Sequence, residues 1–150
     1  MAEGHEVDPA DEGRHQPGPE RWWNESWYLD WVSDDGTAGY VRLGLHPNQG
    51  AAWWTATVVG PDRRLVEAVD LGLPIPPDGA TGVAANGTSV DCVIEAPLRA
   101  VRVVASGPAV LLDEPADVYR SAPGEPTTLE VDLRWRTDGT PHHYLHPTRY

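Results

Sequence analysis

Apolar and polar residues alternate with a period of two along most of this chain, the spacing of β-strands that bury one face. Over residues 26–33, Trp27, Leu29 and Trp31 fall on one side and Tyr28, Asp30 and Val32 on the other, ahead of the turn Asp34-Asp35-Gly36. Residues 39–45 repeat the pattern, with Val41, Leu43 and Leu45 opposite Tyr40, Arg42 and Gly44, before a second turn at Pro47-Asn48-Gln49-Gly50. A third strand over 51–59 is rich in Trp, Thr and Val, and Gly60-Pro61-Asp62 leads it into a fourth over 64–71. The prolines of Leu73-Pro74-Ile75-Pro76-Pro77-Asp78-Gly79 lack backbone donors, so this stretch is expected as a loop across the sheet or barrel end.

Beyond that loop, residues 89–96 place Val90, Cys92 and Ile94 opposite Asp91 and Glu95, and residues 99–105 continue the pairing. A short apolar run over 109–113 and a Pro/Gly connection over 121–127 precede the last strand. There Leu129, Val131, Leu133 and Trp135 face one way and Glu130, Asp132, Arg134 and Arg136 the other, until Asp138-Gly139. No segment carries a helical stripe over three turns; short helical turns are expected only near 19–24 and 114–119. The pattern predicts an all-β chain, an antiparallel meander forming a barrel or a β-sandwich.

Composition adjusts this picture. The chain has 150 residues, one domain by length. Residues 1–20 hold acids, Gly and Pro with almost nothing apolar, and are expected to form a disordered acidic tail. Residues 21–140 are expected to make the β domain, and 141–150 an extended segment leading toward a second domain. The net charge of −12 opposes nucleic-acid binding. All eleven basic residues are Arg, and the absence of Lys removes Schiff-base, PLP and P-loop chemistry. One cysteine permits no internal disulfide, and no apolar run is long enough for a membrane span or a signal peptide, so a cytoplasmic location is expected. No cofactor is expected.

Most clusters with catalytic potential have plainer readings. His142 and His146 have a two-ligand helical spacing, but Pro141 and Pro147 bracket them and no ligand-pattern glutamate accompanies them, so no metal site is assigned. Asp34-Asp35 and Asp113-Glu114 coincide with turns. Cys92 faces inward and reads as an inert buried thiol. No catalytic residue is assigned. Tryptophan is different: six of the seven lie within the first 54 residues, and neighbours Trp53 and Trp54 must point to opposite faces of one strand. One face therefore carries an aromatic surface beyond the core, which suits an apolar ligand or a partner. The candidate ligand or interface residues are Trp27, Trp31, Trp53, Trp54, Tyr28, Glu25, Arg42 and Trp135. Glu25 has three readings: a cap, a salt-bridge partner of Arg42, or a polar anchor in a pocket.

The run Trp23-Asn24-Glu25-Ser26-Trp27-Tyr28-Leu29-Asp30-Trp31, then Gly39-Tyr40-Val41-Arg42-Leu43-Gly44-Leu45-His46-Pro47-Asn48-Gln49-Gly50, resembles the opening of the lipocalin-like proteins grouped with AttH and the carotenoid hydratases (hydroxyneurosporene synthases), especially actinobacterial members. Ala96-Pro97-Leu98-Arg99 and Thr128-Leu129-Glu130-Val131-Asp132-Leu133 fit the same pattern. The resemblance implies two consecutive lipocalin-like domains and apolar polycyclic or isoprenoid-type substrates. The acidic and His-containing motif of the second half has no counterpart here, so no catalytic residue carries over.

The expected function is a non-catalytic β domain that binds an apolar small molecule of lipid or isoprenoid type, or packs on a second β domain, including a second copy of itself. The alternatives are half of a lipocalin-like hydratase, isomerase or cyclase acting on a lipid-like substrate, and a structural interaction module.

Overall fold

The computed structural model describes residues 7–120 and 123–141. Among them are eight strands: β1 (Glu25–Val32), β2 (Ala38–His46), β3 (Ala51–Val59), β4 (Leu65–Leu73), β5 (Gly82–Ala85), β6 (Thr88–Ala96), β7 (Ala100–Leu112) and β8 (Glu125–Arg136). All neighbouring strands are antiparallel. They form one sheet in the order β1-β2-β3-β4-β7-β6-β5, with β8 on β7, and the sheet curls into a half-barrel. Two consecutive meanders, β1–β4 and β5–β8, are thus joined where Leu65, Val66 and Glu67 pair with Leu112, Leu111 and Val110.

The alternation in the sequence maps directly onto the two faces of the sheet. Trp27 pairs with Leu43 and Leu43 with Trp54, while Leu29 pairs with Val41 and Val41 with Ala56, so one apolar row continues from strand to strand. Leu43, Leu45, Leu73, Val41, Val90, Val103 and Cys92 are the largest fully buried side chains, and all lie on the concave face. Trp27, Leu29, Trp31, Val131, Leu133 and Trp135 pack against this core from β1 and β8. Trp31 lies over Gly39, its pairing partner: a Cβ there would stand 2.6 Å from the indole and 2.3 Å from the Thr57 carbonyl.

Several sequence expectations need correction. β7 is one strand of 13 residues rather than two runs. Pro108 lies where β7 exchanges one partner for another, between Ser106, which pairs with β6, and Val110, which pairs with β4. β8 begins at Glu125, within the expected connection; Pro126 is tolerated because β8 is an edge strand. The four-residue β5 has too little sequence to show a period. Residues 115–120 form a 3-10 turn at the expected place, and over 19–24 a single hydrogen-bonded turn occurs, Trp23 N donating to Glu20 O at 3.0 Å.

The described part of the N-terminal segment also departs from the expected free tail. Residues 9–12 make a 3-10 turn capped by the Asp8 side chain, which accepts from Ala10 N. The Arg14 guanidinium donates to the carbonyls of Pro76, Pro77 and Ala80 at 3.0, 2.8 and 3.4 Å. Asn48 Nδ2 donates to Gly18 O and Glu20 O, both at 2.8 Å. The Glu12 carboxylate accepts from Leu98 N, in the β6–β7 turn where Leu98 takes the positive φ of 59°. Hydrophobic content does not reveal such a segment, because polar bonds to loop carbonyls hold it, and the proline-rich loop supplies acceptors without matching donors.

Candidate functional site

β1 and β8 are both sheet edges, and no backbone ladder joins them among the described residues. A side chain closes the gap. Trp135 Nε1 donates to Asp30 O at 2.8 Å, and its ring meets Trp31 edge-on with centroids 6.4 Å apart at 68°. Beside this seam is a cavity of about 340 Å³ whose wall includes Leu29, Leu98, Val101, Trp135 and Pro141, with Glu12, Arg99, Arg136 and Thr137 as its polar residues. Trp135 is therefore both the clasp of the half-barrel and a wall of its side opening. The seam combines residues from β1, the β6–β7 turn, β7 and β8, brought together only by curling of the sheet.

The other inward candidates have different settings. Trp54 is 3% exposed and belongs to the core. Trp27 is half-buried and donates through Nε1 to Glu12 O at 3.0 Å, so it anchors the N-terminal segment. Glu25 faces the same side, opposite Leu45. It accepts from Arg14 Nε at 3.5 Å and from His15 N at 2.9 Å, with the His15 ring Nδ1 at 3.1 Å. Its partner is thus Arg14 and not Arg42, which points to the opposite face. A smaller cavity of about 280 Å³ near Asp11, Glu12, His15, Glu25 and Trp27 lies under this segment.

The convex face of β1–β3 holds Tyr28, Arg42 and Trp53. Tyr28 stacks on Tyr40 with centroids 5.5 Å apart, and Trp53 lies against His46 with centroids 3.8 Å apart and the rings tilted by 32°. Sequence reasoning singled out Trp53 and Arg42 but missed His46, which is 5% exposed. The available signal was an imidazole at the outward end of an alternating strand, two residues past a glycine on the same face. Burial, with the nearby Arg42 charge, pushes the His46 imidazole below its ordinary value, so it is held neutral.

The remaining groups fit structural roles. Burial, reinforced by the charges of Asp91 and Glu12, pushes the Cys92 thiol up to about 12, leaving little of the nucleophilic thiolate. Asp35 sits in its turn, accepting from Ser33 Oγ and Thr37 N, and these bonds lower its carboxyl. Asp113 pairs with Arg64 at 2.7 Å. No group of three or more potential metal ligands occurs among the described residues, and the expected His142–His146 run lies outside them. No helix among the described residues is long and apolar enough to cross a membrane.

No curated protein and no solved structure matches the chain. One family model does, across residues 8–149, and the chain accordingly belongs to the family described as Domain of unknown function (DUF7064).

Proposed function

We propose that this domain binds a small apolar molecule in the seam between β1 and β8. The observation that carries this reading is the cavity of about 340 Å³ walled by Leu29, Leu98, Val101, Trp135 and Pro141. Its volume is at the small end of the range for ligand sites, about 300–1,000 Å³, so a short apolar chain or one or two rings suits it better than a long carotenoid. The half-barrel is compatible with the ligand-binding role that the lipocalin-like resemblance implies, and the Glu12 carboxylate offers one polar contact to orient an alcohol. The test is calorimetric titration with geraniol, a short isoprenoid alcohol. Saturable binding weakened by Trp135→Ala is expected; equal binding by that variant, or none by the native chain, overturns the seam as the site.

A second reading, packing on another β domain or a second copy of this chain, is favoured by Val69 and Leu71, which are 50% and 49% exposed on β4. Sedimentation over a range of concentrations tests it: association abolished by Leu71→Glu supports an interface, and a monomer at all concentrations removes the self-association form.

A further inference from the structure

Residues 8–20 cross one end of the half-barrel, and the bonds that seat them fall into two groups. In the first, Asn48 on the β2–β3 turn donates to Gly18 O and Glu20 O and ties down the approach to β1. In the second, Glu12 O accepts from Trp27 Nε1 and the Glu12 carboxylate from Leu98 N, while Arg14 reaches the carbonyls of Pro76, Pro77 and Ala80. Glu25 adds to this group by accepting from Arg14 Nε and His15 N. Between the two groups, Gln16 and Pro17 are exposed, and neither has a hydrogen bond among the described residues.

This is the layout of a strap with a hinge. No residue of the 9–12 turn is buried. What seats residues 8–15 is polar, and water replaces such bonds on opening, so release costs far less than parting the apolar core. None of these residues belongs to a strand, and lifting them leaves every ladder intact.

The strap also stands between two cavities. Glu12 lines both the seam cavity of about 340 Å³ and the cavity of about 280 Å³ near His15 and Glu25. Leu29 walls the first and Trp27 the second, and the two are successive inward residues of β1. Glu12 is bonded to Trp27 on one side and to Leu98, a wall of the seam cavity, on the other. It interrupts a continuous apolar row.

We propose that residues 8–15 form a strap hinged at Gln16-Pro17-Gly18, whose lifting takes Glu12 away from Trp27 and Leu98 and joins the two cavities into one trough along β1. Closed, the strap limits the site to the short ligand of the seam; open, it admits a longer apolar alcohol. Glu12 is then the residue that sets ligand length, and Arg14 is the latch that holds it in place. The ligand part of this inference rests on the seam as a binding site; the hinge part does not.

The hinge is tested without ligand, by hydrogen exchange on the whole chain. The Trp27 indole N–H, the Leu98 amide and the His15 amide are expected to open together, with lower protection than the β2 and β3 amides. Arg14→Gln, which cuts the ties to the β4–β5 loop, is expected to lower the protection of all three by about tenfold and to leave β2 and β3 unchanged. Protection as high as in β2 and β3, three unrelated rates, or no response to Arg14→Gln overturns the strap. Ligand length is read by calorimetry with geraniol and with farnesol, the same alcohol one isoprene unit longer. Affinity for farnesol relative to geraniol is expected to rise by about tenfold in Arg14→Gln, in step with the open population. An unchanged ratio, with geraniol bound as in the native chain, overturns the joined trough and leaves the seam standing. Farnesol bound by Arg14→Gln with no geraniol binding by the native chain supports the trough and overturns the seam alone. Absence of binding by both alcohols in both chains overturns seam and trough together.

Discussion

Trp53 and Trp54 are neighbours in the chain and occupy opposite environments. Trp54 faces the core, paired with Leu43, whereas Trp53 lies on the convex face against an imidazole without hydrogen-bond partners among the described residues. The same contrast runs along all of β1–β3, from Trp27 and Tyr28 to Leu43 and Arg42. On the inner face aromatic rings fill volume; on the outer face they lie beside the polar side chains of His46 and Arg42. The lesson is that side-chain period assigns a tryptophan to a face, but the neighbours on that face decide whether it is structural or available.

The largest expected effect comes from breaking the inner face. Trp54→Ala should lower unfolding free energy by about 3–5 kcal/mol in a denaturant titration, the range for a buried large aromatic. Trp53→Ala, which removes one stacked pair from the outer face, should cost about 1–2 kcal/mol. Equal losses would erase the distinction between the faces. Next, Gly39→Ala forces a methyl group toward the Trp31 indole and the Thr57 carbonyl, and should destabilise by about 1–3 kcal/mol as an overpacked site. A red shift in tryptophan emission should accompany it as Trp31 moves outward; unchanged emission and stability would mean that the close approach is not needed.

Trp135→Phe sharpens the comparison at the seam by keeping an aromatic ring while removing the bond to Asp30 O. A loss of about 0.5–1.5 kcal/mol is expected, with faster amide exchange along β1. Undiminished protection would show that ring packing alone closes the sheet.

The smallest effect is a pH dependence from the outer face. The His46 value is lowered below the ordinary 6.5 in the folded chain, chiefly by burial and then by Arg42, so the unfolded chain binds its proton more readily. Its contribution to stability is therefore fully present above about 6.5 and is lost as pH falls through the lowered folded value. His46→Phe should flatten stability between neutral and mildly acidic pH relative to the native chain. An unchanged slope would assign that dependence to other groups.

Much of the strand framework was legible because burial on one face imposes a two-residue period, as at Trp27-Leu29-Trp31 and at Leu129-Val131-Leu133-Trp135. The continuity of β7 was not, since Pro108 breaks most strands and is tolerated here by a change of pairing partner. Nor was the seating of residues 7–20, where Arg14 and Glu12 bind backbone groups distant in sequence. For the candidate sites, Trp135 and Arg42 could be selected one at a time from composition and pattern. Their settings could not: the seam requires strand curvature, and the convex face requires knowing that His46 is buried against Trp53.

The long reach of the Trp135 contact has a consequence for the order of folding. β1–β4 are linked by successive hairpins, so their pairings close short loops. The β4–β7 junction must wait until residues 110–112 return to residues 65–67. The clasp between Trp135 and Asp30 spans 105 positions and needs the whole curl already in place. It is the natural last step of assembly, and a contact that depends on every earlier one and rests on one hydrogen bond and one ring contact is also the natural first to release. Release of the Trp135 clasp would then widen the seam without dismantling the core or the β7–β8 ladder, giving a small molecule a way in and out of a folded domain.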